Sequence, residues 1–134
     1  MQKHYGFPRS EKLKSVARTG LLFSSGKSFW IFPCSVYYRI GGKPELQKSQ
    51  ILVSVGKHYF KHAVDRNRMK RLLRESFRLH KHRLMEAAQE AGLCFNMALV
   101  YKSRNLMGFA AVEASMLAIL ARMEEIVRKA AQKP

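Results

Sequence analysis

Apolar and polar positions fall into blocks of two different periods along this chain. Residues 28–40 are rich in aromatic and β-branched side chains and predict a strand, with Pro33 pointing to an edge position or a bulge. Gly41, Gly42, Lys43 and Pro44 mark a turn region, and residues 50–55, Gln-Ile-Leu-Val-Ser-Val, predict a second strand. From about Asp65 the spacing becomes helical and continues to Ala91, with Gly92 as the stop. Residues 93–101 form a nearly continuous apolar run of strand length, as expected of a strand covered on both faces. Val112, Met116, Ile119, Leu120, Met123, Ile126 and Val127 keep helical spacing, so the last segment reads as an amphipathic helix on the sheet, its methionines filling core. A further short helix is predicted from a Ser15 cap to about Phe23, weakened by Gly20. The order helix, strands, helix, strand, helix predicts a two-layer α/β domain.

The chain has 134 residues, which fits one domain, and no repeat or linker divides it. Residues 1–14 are polar and basic, the stretch expected to be flexible. There is no apolar run of membrane-spanning length and no signal-peptide pattern near the N-terminus. Cys34 and Cys94 have no second thiol or histidine at ligand spacing, so neither a disulfide framework nor a metal site is expected. A reduced cytoplasm fits that usage.

Charge changes the picture more than length does. Lysine and arginine number 25 against 9 acids, giving +16. Such an excess repels itself and is relieved by a polyanion, whose condensed counterions are released on binding. A membrane reader would carry a basic amphipathic helix with bulky apolar residues opposite, whereas Trp30 sits in a strand-like run. Nucleic acid is the expected partner. Ten of the 25 basic residues fall between Lys57 and Arg83, with only Asp65 and Glu75 opposing them.

At about 100° per residue, Met69, Leu72, Leu73 and Phe77 share one stripe of the long helix, and Arg66, Asn67, Lys70, Arg71, Arg74 and Arg78 occupy a basic arc beside it. Arg68 borders the stripe from the other side. A guanidinium grips phosphate oxygens with two parallel donors, which suits this flank to RNA. Asn67 has two readings, a backbone-bonding residue at the helix start or a direct RNA contact. Asp65 reads as the N-cap. The aromatics of residues 29–38 beside the cations after the next strand suit unpaired bases, although Trp30 and Phe32 are expected in the core and Tyr37 at the surface.

The run from Lys57 to Arg78 closely resembles the signature of the bacterial ribonuclease P protein component. Lys57, Lys61, Ala63, Arg66, Asn67, Arg68, Lys70, Arg71, Arg74, Glu75 and Phe77 fit that pattern without a gap. A looser likeness extends over nearly the whole chain through Phe7-Pro8-Arg9, Lys12-Leu13, Phe23 and Gly26. The resemblance implies an α/β fold with a mixed sheet and a left-handed βαβ crossover, similar to a ribosomal protein and a domain of elongation factor G. It implies a ribonucleoprotein subunit that binds a catalytic RNA and the 5′ leader of precursor tRNA, while magnesium and the RNA remove the leader. Carried over by position, Arg66, Asn67, Arg68, Lys70, Arg71 and Arg74 would contact the catalytic RNA, and Phe23, Tyr37, Lys57 and Lys61 would line the leader cleft. The free protein is expected to be monomeric, with no metal held by it alone. Thr19 stands where the family commonly has an aromatic, His58 where it often has lysine, and Lys12 where it often has arginine.

Two other functions compete with this one. A ribosomal-type RNA-binding protein would share the composition. A self-sufficient metal nuclease would need converging carboxylates, yet Asp65 is the only aspartate and no predicted strand carries an acid. His58 and His62, four apart, lack an evident nucleophile or orienting carboxylate.

Overall fold

The computed structural model describes residues 20, 23, 26–42, 46 and 48–132. Among the described residues, four strands, β1 (Lys27–Ile31), β2 (Cys34–Gly41), β3 (Gln50–Val55) and β4 (Cys94–Tyr101), and three helices, α1 (Ala63–His80), α2 (His82–Ala91) and α3 (Phe109–Gln132), build a mixed α/β fold. The sheet order is β1-β2-β4-β3, with β3 parallel to β4 and the other neighbours antiparallel. Parallel neighbours need a crossover, and α1 with α2 supplies it.

Residues 28–40 are therefore a hairpin rather than one strand. Ile31 pairs with Cys34, so Phe32 and Pro33 alone make the turn. A two-residue hairpin normally announces itself with Gly or Asn, and this one does not. Pro33 indeed lies where the edge strand β1 turns back.

The predicted long helix is also two. Lys81 joins α1 to α2 with helical dihedrals, φ −71° and ψ −17°. Phe77 and Leu84 are both buried and seven residues apart, so the apolar stripe runs through the joint in phase and gives no warning of it. α1 begins at Ala63 with His62 as a cap that makes no side-chain bond. Asp65 is thus not the N-cap; it lies in the first turn, where its charge complements the positive end of the helix dipole. Gly92 ends α2 in the left-handed region at φ 68°, and its N–H and that of Leu93 close onto the carbonyls of Gln89 and Ala88.

All three helices lie on one face of the sheet. There Cys34, Val36, Val53, Phe95, Met97, Leu99 and Tyr101 meet Met69, Leu73 and Phe77 of α1, Leu84 of α2 and Val112, Met116, Ile119, Met123 and Val127 of α3. The periodic residues predicted for the last helix are buried as expected, with Ile126 partly so. Central β4 is covered on both faces: Ala98 points away from the helices and is still 0% exposed. The predicted first helix and residues 1–14 lie outside the described residues, except that Gly20 and Phe23 have helical backbone. Among the described residues, no helix is long and apolar enough to cross a membrane.

Cys34 begins β2 wholly inside the core, where burial pushes its thiol up to about 12. At pH 8, iodoacetamide should therefore label Cys94, which is half-buried, and spare Cys34 until urea unfolds the chain; mass spectrometry reads the difference. Because the folded value lies above the ordinary 9.0, this group's share of stability is present below about pH 9 and is lost as pH rises toward 12.

Candidate nucleic-acid interface

α1 turns Met69, Leu73, Ser76 and Phe77 into the core. Helical geometry then places the arginines on the opposite flank, and the structure finds them there. Asn67, Arg68, Arg71 and Arg74 are exposed; Arg66, Lys70 and Arg78 are half-buried. The basic arc is a surface ridge.

Its members do not all have the same freedom. Nη1 of Arg66 donates to the carbonyl of Phe60 at 2.8 Å and to that of Lys61 at 2.9 Å, so this side chain clamps the loop that feeds the helix. Arg78 pairs with Glu75, three residues before it, through both guanidinium arms, and that bond holds the Glu75 carboxyl below its usual range. Neighbouring Arg68, Lys70, Arg71 and Arg74 make no such ion pair among the described residues. Asn67 is exposed and its side chain makes no hydrogen bond to the backbone among the described residues, so the backbone-bonding reading of this residue is not realised there.

The strand register brings further cations to the same end of the molecule. Val55 pairs with Tyr101 and Tyr101 with Cys34, so the ends of β3 and β4 and the β1–β2 turn form one rim. The loop leaving β3 carries Lys57, His58, Lys61 and His62, all exposed. It is pinned by Phe60, which is buried beside Tyr101 with ring centres 5.8 Å apart, and by the N–H groups of Tyr59 and Phe60 reaching the Gly56 carbonyl. The N-terminal turn of α1 follows at once.

The sheet face away from the helices offers a different chemistry. Tyr37 of β2, Ala98 of β4 and Leu52 of β3 stand in one row across it. Phe23 lies edge-on to Tyr37, ring centres 4.9 Å apart. Lys102 reaches the same ring, with Nζ 3.5 Å from the hydroxyl and 5.8 Å from the ring centre. The next row is polar, Arg39, Asn96 and Gln50. Asn96 is 1% exposed, and both polar atoms of its amide lack a hydrogen-bond partner, so donor and acceptor capacity stands unused beneath this face.

Of the four residues predicted to share a cleft, Phe23 and Tyr37 do meet. Lys57 and Lys61 lie on the rim loop and make no hydrogen bond or ring contact with that pair. Lys102 was missed: it ends an apolar run, and only strand pairing shows that it shares a face with Tyr37. Trp30 and Phe32, expected in the core, are 53% and 55% exposed. The reason is the hairpin, which puts both on the edge strand and its turn.

No cluster of three or more His, Cys, Asp or Glu side chains able to hold a metal exists among the described residues. Two of the engaged carboxylates tie helices together: Glu113 holds His80 at 2.8 Å between α3 and α1, and Glu124 holds Arg83 at 3.0 Å between α3 and α2. The surface is thus a cationic ridge beside a face of paired aromatics, which suits a phosphate backbone with unpaired bases.

Comparisons with known proteins point to one family. The ribonuclease P family model matches residues 7–124. The ribonuclease P protein component of Porphyromonas gingivalis strain W83 is 38% identical over 129 residues, 96% of this chain and 94% of that one. Among solved structures, the RNase P protein from Thermotoga maritima superimposes with a TM-score of 0.66 at 24% identity, covering 84% of this chain and 96% of that one. The RNase P protein of Staphylococcus aureus also gives 0.66, at 21% identity, covering 84% and 94%.

Proposed function

This chain belongs to the ribonuclease P protein family, and on that premise we propose that it is the subunit that docks the catalytic RNA and holds the 5′ leader of precursor tRNA during removal of that leader. The alternative of a ribosomal-type RNA-binding protein gives way to the family match over residues 7–124. The observation that carries the docking role is the exposed Asn67, Arg68, Arg71 and Arg74 flank of α1, opposite its buried stripe.

The mechanism follows from charge and stacking. Two RNAs that must lie side by side repel through their phosphates. The cations of α1 neutralise phosphates of one, with counterion release as the driving force. Lys57 and Lys61 on the rim, and Lys102 on the sheet face, are placed to offset charge on the other. The leader is single-stranded, so its bases are free to stack on Tyr37 and Phe23, a sequence-tolerant contact that mature tRNA cannot make. No group of three or more His, Cys, Asp or Glu side chains able to hold a metal exists among the described residues; on this reading magnesium would be held by the RNA and would supply there the Lewis-acid chemistry of phosphodiester hydrolysis. This chain contributes binding and orientation, and cleaves nothing alone.

Reconstitution tests this. Added to a bacterial ribonuclease P RNA, the protein should lower the magnesium concentration that half-saturates precursor cleavage and should tighten precursor over mature tRNA. Equal affinities for the two tRNAs would defeat the leader role. Correct cleavage of precursor by protein freed of all RNA would defeat the division of labour.

A further inference from the structure

Two large aromatics remain that the reading above does not use. Trp30 and Phe32 are both more than half exposed, and their rings meet edge to face with centres 6.3 Å apart. Exposed aromatics together at the end of an edge strand invite aggregation, so a surface that keeps them has a use for them.

Strand pairing places them beside Tyr37. Trp30 pairs with Ser35, and Ser28 pairs with Tyr37. Residues directly opposite share a face, so Trp30 stands on the same face as Tyr37 as its diagonal neighbour. Diagonal neighbours on a sheet lie about 7–8 Å apart, within reach of one another for aromatic side chains. Phe23, Tyr37, Trp30 and Phe32 therefore share one face and follow one another from Phe23 to the rim. The floor under Trp30 is made of small and medium side chains, Ser35 and Val100, which leave the indole standing proud.

The tip is also held still. Ser115 of α3 donates its hydroxyl to the Phe32 carbonyl at 2.9 Å, and the Lys102 N–H donates to the Pro33 carbonyl at 2.8 Å. A platform fixed before its ligand arrives loses little entropy on binding. Lys102 thus sits at the junction, its backbone N–H bonded to Pro33 beside Phe32 and its ammonium beside Tyr37.

We propose that Trp30 and Phe32 form a second base-stacking subsite, contiguous with Phe23 and Tyr37, that takes neighbouring unpaired nucleotides of the leader. This rests on the leader-binding reading of the sheet face. Alternating aromatic and cationic groups fit bases and phosphates. A second copy of this chain fits poorly, because each carries +16.

Trp30 is the only tryptophan, so its fluorescence reports on this subsite alone. In the enzyme assembled from full-length protein and catalytic RNA, precursor tRNA should quench Trp30 emission and shield it from acrylamide. Mature tRNA, and precursor whose leader bears abasic residues, should not. Replacing both aromatics by alanine should cut the preference for precursor over mature tRNA about tenfold, the order expected on losing one stacked base. Trp30→Phe should retain most of it. Both positions are exposed, so the alanine variant keeps its core, and circular dichroism checks that. Quenching by catalytic RNA before any tRNA is added would assign the pair to the other interface and overturn the proposal. So would unchanged emission with precursor together with an unchanged preference in the double variant. If wild-type enzyme bound precursor and mature tRNA equally, the leader-binding reading itself would fall; a wild-type preference that Tyr37→Ala abolishes but the Trp30 and Phe32 variant leaves intact would sink only this subsite.

Discussion

Replacing Arg66 and Arg74 together by alanine should weaken binding of the catalytic RNA by about 2–4 kcal/mol and flatten its dependence on salt. The two halves of that effect differ in origin. Arg74 is exposed on the ridge and makes no ion pair among the described residues, so its loss should remove one phosphate contact. For such a contact the slope of log K against log salt should fall by about 0.7–0.9. Arg66 is half-buried and spends Nη1 on the Phe60 and Lys61 carbonyls. A guanidinium has five donors, so it can clamp the loop and still face a phosphate. Alanine there removes both roles. Arg66→Ala alone should therefore lower folding stability by about 1–3 kcal/mol, the scale of a hydrogen bond from a charged group, whereas Arg74→Ala should not. Arg66→Lys keeps the charge but not the planar fork, and should recover the salt slope better than the stability. Titrations at several monovalent salt concentrations, paired with urea unfolding, separate the two. A salt slope that survives Arg74→Ala would remove the ridge from the interface.

That separation could not be drawn from the sequence. Helical period alone placed Met69, Leu73 and Phe77 inside and the arginines outside, because one amphipathic helix on a sheet has a single way to bury its stripe. The same period is blind to what an arginine does with its donors. Arg66 and Arg74 look alike at the level of pattern, and only the backbone path of the loop before α1 distinguishes them. The strands show the same limit. Residues 50–55 were legible as β3, bounded and apolar, and the covered strand β4 announced itself by its nearly continuous run. The hairpin at Phe32 and Pro33 was hidden, since aromatic residues continue on both sides of a turn that lacks glycine. That one miss sent Trp30 and Phe32 into the expected core when they stand outside it. Lys102 was illegible for a related reason: its partner Tyr37 is 65 residues away in sequence and meets it only through strand pairing.

The sheet face yields the second large effect. Tyr37→Ala should lower the preference for precursor over mature tRNA by about 1–3 kcal/mol, the usual range for one base stacked on an aromatic ring. Tyr37 is half-buried against Phe23 and Ala98, so the ring is already fixed and the stacking surface does not have to be ordered by the leader. Tyr37→Phe keeps that surface and loses only the hydroxyl beside Lys102, so it should sit close to the parent protein. Lys102→Ala should fall between them, with a reduced salt slope for leader binding that neither tyrosine variant shows. The decisive comparison is with the ridge. Tyr37 and Arg74 lie on different layers, one on a sheet face turned away from the helices and one on a helix flank. Tyr37→Ala should therefore leave catalytic-RNA affinity unchanged while Arg74→Ala changes it. If both variants weakened both RNAs in the same proportion, the two surfaces would be one, and the leader would have to cross α1 rather than the sheet.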